Sequence, residues 1–180
     1  MQCIISPDDA VNILHGVGCS DEVIQHGFKV RELALEYSKK ITANGAFVDI
    51  NIVEIGSILH DIGKSISNGI EHGALGAKLA ENLGIDAKIV QIIRCHIGAG
   101  ITKKKALELK LPHGNYIPTT IEEKIVAHAD NLIKGTEQIS INTCILNMQN
   151  KKIDSKSIDM IKVLAHEIFM YGNNSYNFKY

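Results

Sequence analysis

The stretch INIVEIGSILHDI, residues 50–62, is apolar on nearly every face and carries an adjacent histidine and aspartate near its end. A helix of that composition has no side to offer to water, so it belongs at the centre of an assembly of helices. The rest of the chain must wrap around it, each partner turning an apolar stripe inward. His60 and Asp61 are carried into the same core.

The flanking segments supply such partners. Ser6-Pro7-Asp8-Asp9 combines a capping hydroxyl, a first-turn proline and acids at the positive dipole end, so a helix starts there and stops near His15-Gly16. Ser20-Asp21-Glu22 opens a second helix running to about Ala43, where Asn44-Gly45 ends it. Its stripe reads Val23, Gly27, Val30, Leu33, Ala34, Tyr37 and Ile41 at the helical period, and His26 lies on it. The central helix spans Ile50 to Ile62. Another covers His72 to Leu83, with Leu75, Gly76, Leu79 and Leu83 on the face of His72. A further one covers Asp86 to Ile97 and aligns Ile89, Ile92 and His96.

Residues 98–118 are less regular, with a short Lys103–Leu111 helix followed by Pro112, Gly114 and Pro118. A connection this long within a small domain suits a lid or substrate loop. Thr120 caps a helix that contains Asp130 and runs to about Ile133; a last helix covers about 155–171, and the tail 172–180 frays. The pattern predicts an all-α, compact helical bundle: one domain over residues 1–180, a motif-bearing core at about 20–135, and the C-terminal helix packed on it.

Composition narrows the classes. The 180 residues are 45% hydrophobic and 22% charged, with three prolines and no tryptophan, which favours long helices over turn-rich sheets. A net charge of −1 gives no global attraction to nucleic acid or membrane. No apolar run approaches a spanning length, and MQCIISPDDA lacks the basic-then-apolar order of a signal peptide. Cys3, Cys19, Cys95 and Cys144 show no C-x-x-C pattern and read as reduced thiols. The expectation is a soluble cytoplasmic domain; a homodimer is compatible with it.

Six residues carry the chemistry. His26, His60, Asp61, His72, His96 and Asp130 all lie on or beside core-facing stripes of different helices. Any one alone reads as a satisfied core residue. Packing the helices together brings all six to one place, and burying four imidazoles and two carboxylates without a partner is costly. A divalent metal satisfies the set. Imidazole with carboxylate suits Fe, Mn, Co, Ni or Zn, and the lack of cysteine ligands argues against a structural zinc site. Asp61 has two oxygens and could bridge two ions ~3.5–4 Å apart, an arrangement that acidifies water for attack on phosphorus. Lys64, one turn on, could neutralise charge on a phosphate or merely cap a helix end.

Other candidates carry less. Glu22, four residues before His26, reads equally as an extra ligand and as a helix-start acid. His128 points away from Asp130 and reads as packing with Ile121, Ile125 and Leu132. His113, Asn115 and Tyr116 lie in the irregular segment, where an exposed loop is the default over substrate contact. Lys103-Lys104-Lys105 reads as a solvated helix face, and Cys95 as a small core residue.

The ordered pattern His26…His60-Asp61…His72…His96…Asp130, with HDIGK at 60–64, resembles the HD-domain superfamily of metal-dependent phosphohydrolases over about residues 20–135. EHGALGA and AHADNL resemble the surroundings of that family's later ligands. GAGIT and EEKIVAHADN are similar to a small stand-alone group widespread in archaea. The resemblance implies that His26, His60, Asp61 and Asp130 hold one metal. It further implies that Asp61, His72 and His96 hold a second, and that Lys64 contacts phosphate. Two divalent ions per chain are expected, Fe or Mn first, with Ni, Co, Zn and Mg as alternatives. The expected substrate is a small phosphate ester such as a nucleotide.

The segment His72-Gly73…Ala77 is similar to one in bacterial diadenosine tetraphosphate hydrolases. The branch that cleaves cyclic di-GMP fits less well, because its GYP triplet and paired histidine are missing here, although Glu22 echoes an extra ligand of some members. A di-iron oxygenase using the same ligand order, and a non-catalytic nucleotide-binding regulatory domain, stand as the alternatives to hydrolysis.

Overall fold

A computed structural model describes residues 5–173. Cys3 and the tail from residue 174 onward lie outside the described residues. Helices α1 (Pro7–Gly16), α2 (Asp21–Ala43) and α3 (Ile50–Leu59) are followed by a 3-10 turn at Ile62–Ser65. Then come α4 (His72–Asn82), α5 (Ala87–Cys95), the short α6 (Lys103–Glu108) and α7 (Ile121–Asn131). A two-stranded hairpin, β1 (Ile133–Lys134) and β2 (Glu137–Gln138), leads to α8 (Ile141–Asn150) and α9 (Ser155–Gly172). The architecture is all-α, and α3 is its hub, packed by α1, α2, α5 and α7.

Local chemistry explains the helix starts. Ser6 and Asp9 form a reciprocal capping box on α1, as Thr120 and Glu123 do on α7. Asp49, Asp86, Thr102, Ser140 and Asp154 each accept a backbone N–H at the head of their helices. Ile52, Val53, Ile55, Ile58 and Leu59 of α3 are buried, which fits a helix with no solvent face. Each such side chain contributes roughly 1.5–3 kcal/mol relative to exposure.

Several ends differ from the apolar pattern. Helix α3 stops at Leu59 rather than Ile62, α5 at Cys95 rather than Ile97, and α7 at Asn131 rather than Ile133. Helix α4 turns a different face inward from the leucine face its sequence marked. Gly73, Ala74, Gly76, Ala77 and Ala80 are buried, whereas Leu83 is about half exposed. Small residues face the core because α4 seats almost backbone to backbone on the 3-10 turn. A methyl group at Gly63 would lie 1.9 Å from the His72 carbonyl oxygen and 2.7 Å from the Gly76 nitrogen. A similar approach brings α2 onto α3, where a methyl at Gly27 would lie 2.8 Å from the Ile58 carbonyl oxygen. These two contacts set the depth at which His26, His60 and His72 enter the core.

Residues 98–118 do not hang free. Ile101, Ala106 and the buried ring of Tyr116 join Ala74 of α4 in a small apolar cluster of their own. The Tyr116 hydroxyl donates to the Pro112 carbonyl at 2.8 Å, so this side chain is spent on the loop's own structure. His113 and Asn115 are exposed.

Gly63→Ala is expected to lower the unfolding free energy by about 2–3 kcal/mol in urea titration, because the methyl has backbone on its far side. Gly16→Ala, where the added methyl meets nothing within 4 Å, should stay within about 0.5 kcal/mol of the parent.

Candidate metal centre

All six side chains meet. His26 comes from the first turns of α2, His60 caps α3, and Asp61 follows it before the 3-10 turn. His72 opens α4, His96 caps α5, and Asp130 stands in the last turn of α7. His60, Asp61 and His96 are buried at 0%, 2% and 2% exposure. The other three are half-buried, so the cluster has one wet side.

Each imidazole is held in the same way. Nδ1 donates to a backbone carbonyl: Gly135 for His26 at 2.8 Å, Ser57 for His60 at 2.7 Å, Gly69 for His72 at 2.7 Å and Ile93 for His96 at 2.8 Å. That bond puts the lone pair of each neutral ring on Nε2 and aims it inward. It also explains two early helix ends. The last carbonyls of a helix lack intrahelical donors, and His60 and His96 satisfy the carbonyls three residues back with their own rings.

The Nε2 atoms divide over the two oxygens of Asp61. His60 lies 3.3 Å and His26 3.8 Å from Oδ2, while His72 and His96 lie 3.2 and 3.5 Å from Oδ1. Oδ1 of Asp130 completes the first side, 2.9 Å from His26 and 3.4 Å from His60. On the other side the His72 and His96 Nε2 atoms are 3.0 Å apart. With both N–H groups turned to carbonyls, two lone pairs face each other there. Among the described residues, buried His60 Nε2 and Asp61 Oδ2 also lack a hydrogen bond of acceptable geometry. Lys64 Nζ sits 2.5 Å from that oxygen as a charge contact.

A cation is the partner such atoms lack, and the donor set of imidazole and carboxylate fits a divalent first-row metal. His26, His60 and Asp130 form one group whose ligating atoms lie within reach of a single ion; His60, Asp61 and His96 form another.

The titration behaviour agrees. Burial alone would raise the Asp61 pKa, but His60, His72 and His96 outweigh it and hold the carboxyl well below the usual range. For Asp130, burial is likewise overcome by the facing imidazoles of His26 and His60, which hold its carboxyl below the usual range. Burial works to lower His60, yet the close carboxylates of Asp61 and Asp130 push it up to about 10. His96 is pushed down by burial. The metal-free cluster therefore keeps its carboxylates ionised with a proton on His60.

The remaining candidates lie elsewhere. Glu22 is exposed at the start of α2, its pKa lowered by a hydrogen bond from Ser20. His128 is buried against the Tyr37 ring at 5.1 Å, in a packing role. Cys95 is buried, with its Sγ 3.8 Å from Glu123, and burial pushes its thiol up, away from reactivity. The residues that sequence reasoning missed are the carbonyls of Ser57, Gly69, Ile93 and Gly135. Three of them sit at i−3 from a histidine, a spacing visible in the chain once the helix ends are known.

Helices around a core cluster of histidine and aspartate define a class of metal-binding helical domain. The HD-domain family model matches residues 23–135, and the chain belongs to that family. It is 46% identical over 162 residues to the uncharacterized protein MJ0778 of Methanocaldococcus jannaschii, covering 89% of this chain and 95% of that one. It is 40% identical over 161 residues to a tRNA (cytidine(56)-2'-O)-methyltransferase of Thermoplasma volcanium, covering 88% of this chain but only 46% of that one. Ribonuclease Y of Chloroflexus aurantiacus is 30% identical over 110 residues, 60% of this chain and 18% of that one. Among solved structures, the HD domain of the Listeria monocytogenes phosphodiesterase PgpH in complex with cyclic-di-AMP superposes with a TM-score of 0.55. The identity is 16%, over 94% of this chain and 99% of that one.

Two pH effects follow. A metal held by His60 Nε2 would have to displace its proton, so affinity for Mn²⁺ should then rise up to about tenfold per pH unit between pH 6 and 8. Calorimetry in buffers of different ionisation enthalpy would read the released proton. His128 is held at about 4 by burial, below its unfolded value of 6.5. Its contribution is full above pH 6.5 and is lost as pH falls toward 4, by about 3 kcal/mol. His128→Phe should flatten that part of the stability–pH curve relative to the parent.

Proposed function

We propose that the chain is a metal-dependent phosphohydrolase acting on a nucleotide or similar small phosphate ester through a two-metal centre. The observation that carries this reading is the division of inward-facing Nε2 atoms over the two oxygens of Asp61. His26, His60, Asp61 and Asp130 would hold one ion; Asp61, His72 and His96 would hold the other. When bound, such ions lower the pKa of water and offset charge on a phosphoryl group.

The protein's own groups do the rest. The four carbonyl bonds keep each imidazole in one tautomer, so no ring rearranges on metal entry. Lys64 balances the buried Asp61 charge and stands at the half-open edge of the cluster, where an incoming phosphate oxygen can take over its ammonium. That cation beside the shared carboxylate favours an anionic substrate over oxygen chemistry. Family membership and the likeness to a phosphodiesterase fold support the same reaction class. The likeness to ribonuclease Y supports a second reading, in which the phosphodiester belongs to RNA.

The test is metal content and hydrolysis measured together. Protein purified without chelator or oxygen should carry about two Fe or Mn per chain and hydrolyse bis(p-nitrophenyl) phosphate. Asp61→Ala should hold at most one ion and lose activity by about 10³-fold or more; retention of two ions would overturn the bridging role. Lys64→Met should keep the metals and lower kcat by about 10²-fold. Cleavage of a short RNA in preference to mononucleotides would favour the second reading.

A further inference from the structure

Residues 66–71 join the 3-10 turn to α4, and one carbonyl in this segment orients a clustered imidazole. Gly69 accepts the Nδ1 proton of His72 at 2.7 Å. The residue before it is Asn68, which is exposed to solvent. In an asparagine–glycine pair the backbone closes readily on the asparagine side chain, because glycine puts no Cβ in the way of the ring. The chain has two such pairs, Asn44-Gly45 and Asn68-Gly69.

Turn chemistry is the first reading of either pair, and it accounts for one of them. Gly45 holds a left-handed φ of 93° after α2, and the Asn44 amide donates to the Tyr171 carbonyl at 3.2 Å. At the second pair neither residue is used in that way. Gly69 is not in the left-handed region, and among the described residues the Asn68 amide makes no hydrogen bond.

Gly69 stands instead in a relay. Its backbone N–H donates to the Ser67 hydroxyl at 3.0 Å, and that hydroxyl donates to the Glu71 carboxylate at 2.5 Å. A methyl on Gly69 would lie 2.3 Å from a Glu71 carboxylate oxygen, so glycine is the residue that leaves this bond intact. The amide nitrogen that must lose its proton for ring closure is therefore bonded to a hydroxyl that can carry the proton away.

We propose that Asn68-Gly69 is a self-modification site that converts to isoaspartate and thereby releases His72. The Gly69 nitrogen attacks the Asn68 side-chain carbonyl carbon, and an N–Cγ bond forms. The Cγ–Nδ2 bond breaks, and ammonia leaves with the proton that Ser67 has passed on from the Gly69 nitrogen. Water then opens the ring; where it cleaves at the Asn68 backbone carbonyl, the chain runs on through the side chain of residue 68. The main chain becomes longer by one methylene, and a new carboxylate stands three residues from the point where His72 is held. The Gly69 carbonyl is displaced from the His72 ring, whose tautomer and aim depend on it. The modification rests on the loop alone; its effect on a bound ion rests on the two-metal reading.

The experiment is peptide mapping of the full chain aged in neutral buffer, with fragmentation that separates isoaspartate from aspartate. Position 68 should be modified about tenfold or more faster than position 44, and Ser67→Ala should slow it by about tenfold or more. Asn68→Gln should stay unmodified and supplies the unaged reference. Separated by its added negative charge, the modified chain should bind a second Mn²⁺ about 10–100-fold more weakly and keep the first. In the metal-free chain, heteronuclear NMR should find the His72 Nδ1 proton protected before modification and exchanging freely with solvent after it. Melting temperature shows that each variant is folded. Equal rates at positions 68 and 44 overturn the proposal, as does an unchanged rate in Ser67→Ala or a modified chain whose His72 proton stays protected. If that proton is released but the unmodified chain binds no metal, the two-metal reading fails and the modification site stands.

Discussion

The carboxylate of Asp61 governs this molecule. It is ionised, 2% exposed and surrounded by apolar helices, a placement that costs several kcal/mol unless the charge is matched. Matching it requires groups from α2, α3, α4 and α5 to converge on two oxygen atoms, with Asp130 of α7 beside them. The helices that make the core are thus the ones that make the site. A cation bound only by the folded cluster would add its binding energy to folding, and would link stability to occupancy through that one residue.

Much of this was legible in the sequence. The apolar run at 50–62 identified the hub helix, capping residues marked the starts of α1, α2 and α7, and the six chemistry-bearing residues stood on separate stripes that could only meet inside. The ends of α3 and α5 were not legible. Hydrophobic periodicity continues through Ile62 and Ile97, while the backbone leaves the helix at His60 and His96 because their rings capture the i−3 carbonyls. Such a bond has no periodic signature. The face of α4 was missed for a related reason: leucines mark a stripe by size, but close seating on Gly63 selects glycine and alanine.

The hairpin after α7 was also missed. Its turn, Gly135-Thr136, joins strands of two residues each, too short for alternation to register. The signal was a single glycine between Ile133 and Ile139, and Gly135 indeed adopts a positive φ of 63°. Asn131 prepares the exit from α7 by donating to both the Ala127 and Gly98 carbonyls, which ties the hairpin's base to the segment after His96.

That hairpin gives the cluster a soft side and a hard side. His60, His72 and His96 lean on carbonyls three residues back, two of them, Ser57 and Ile93, at helix ends in the core. His26 leans on Gly135, an exposed turn residue more than a hundred positions away in the chain. Opening two short strands is among the least costly fluctuations available to a folded domain. It would loosen one imidazole of the four while leaving the other three seated, so a bound ion would have a built-in point of exchange with solvent.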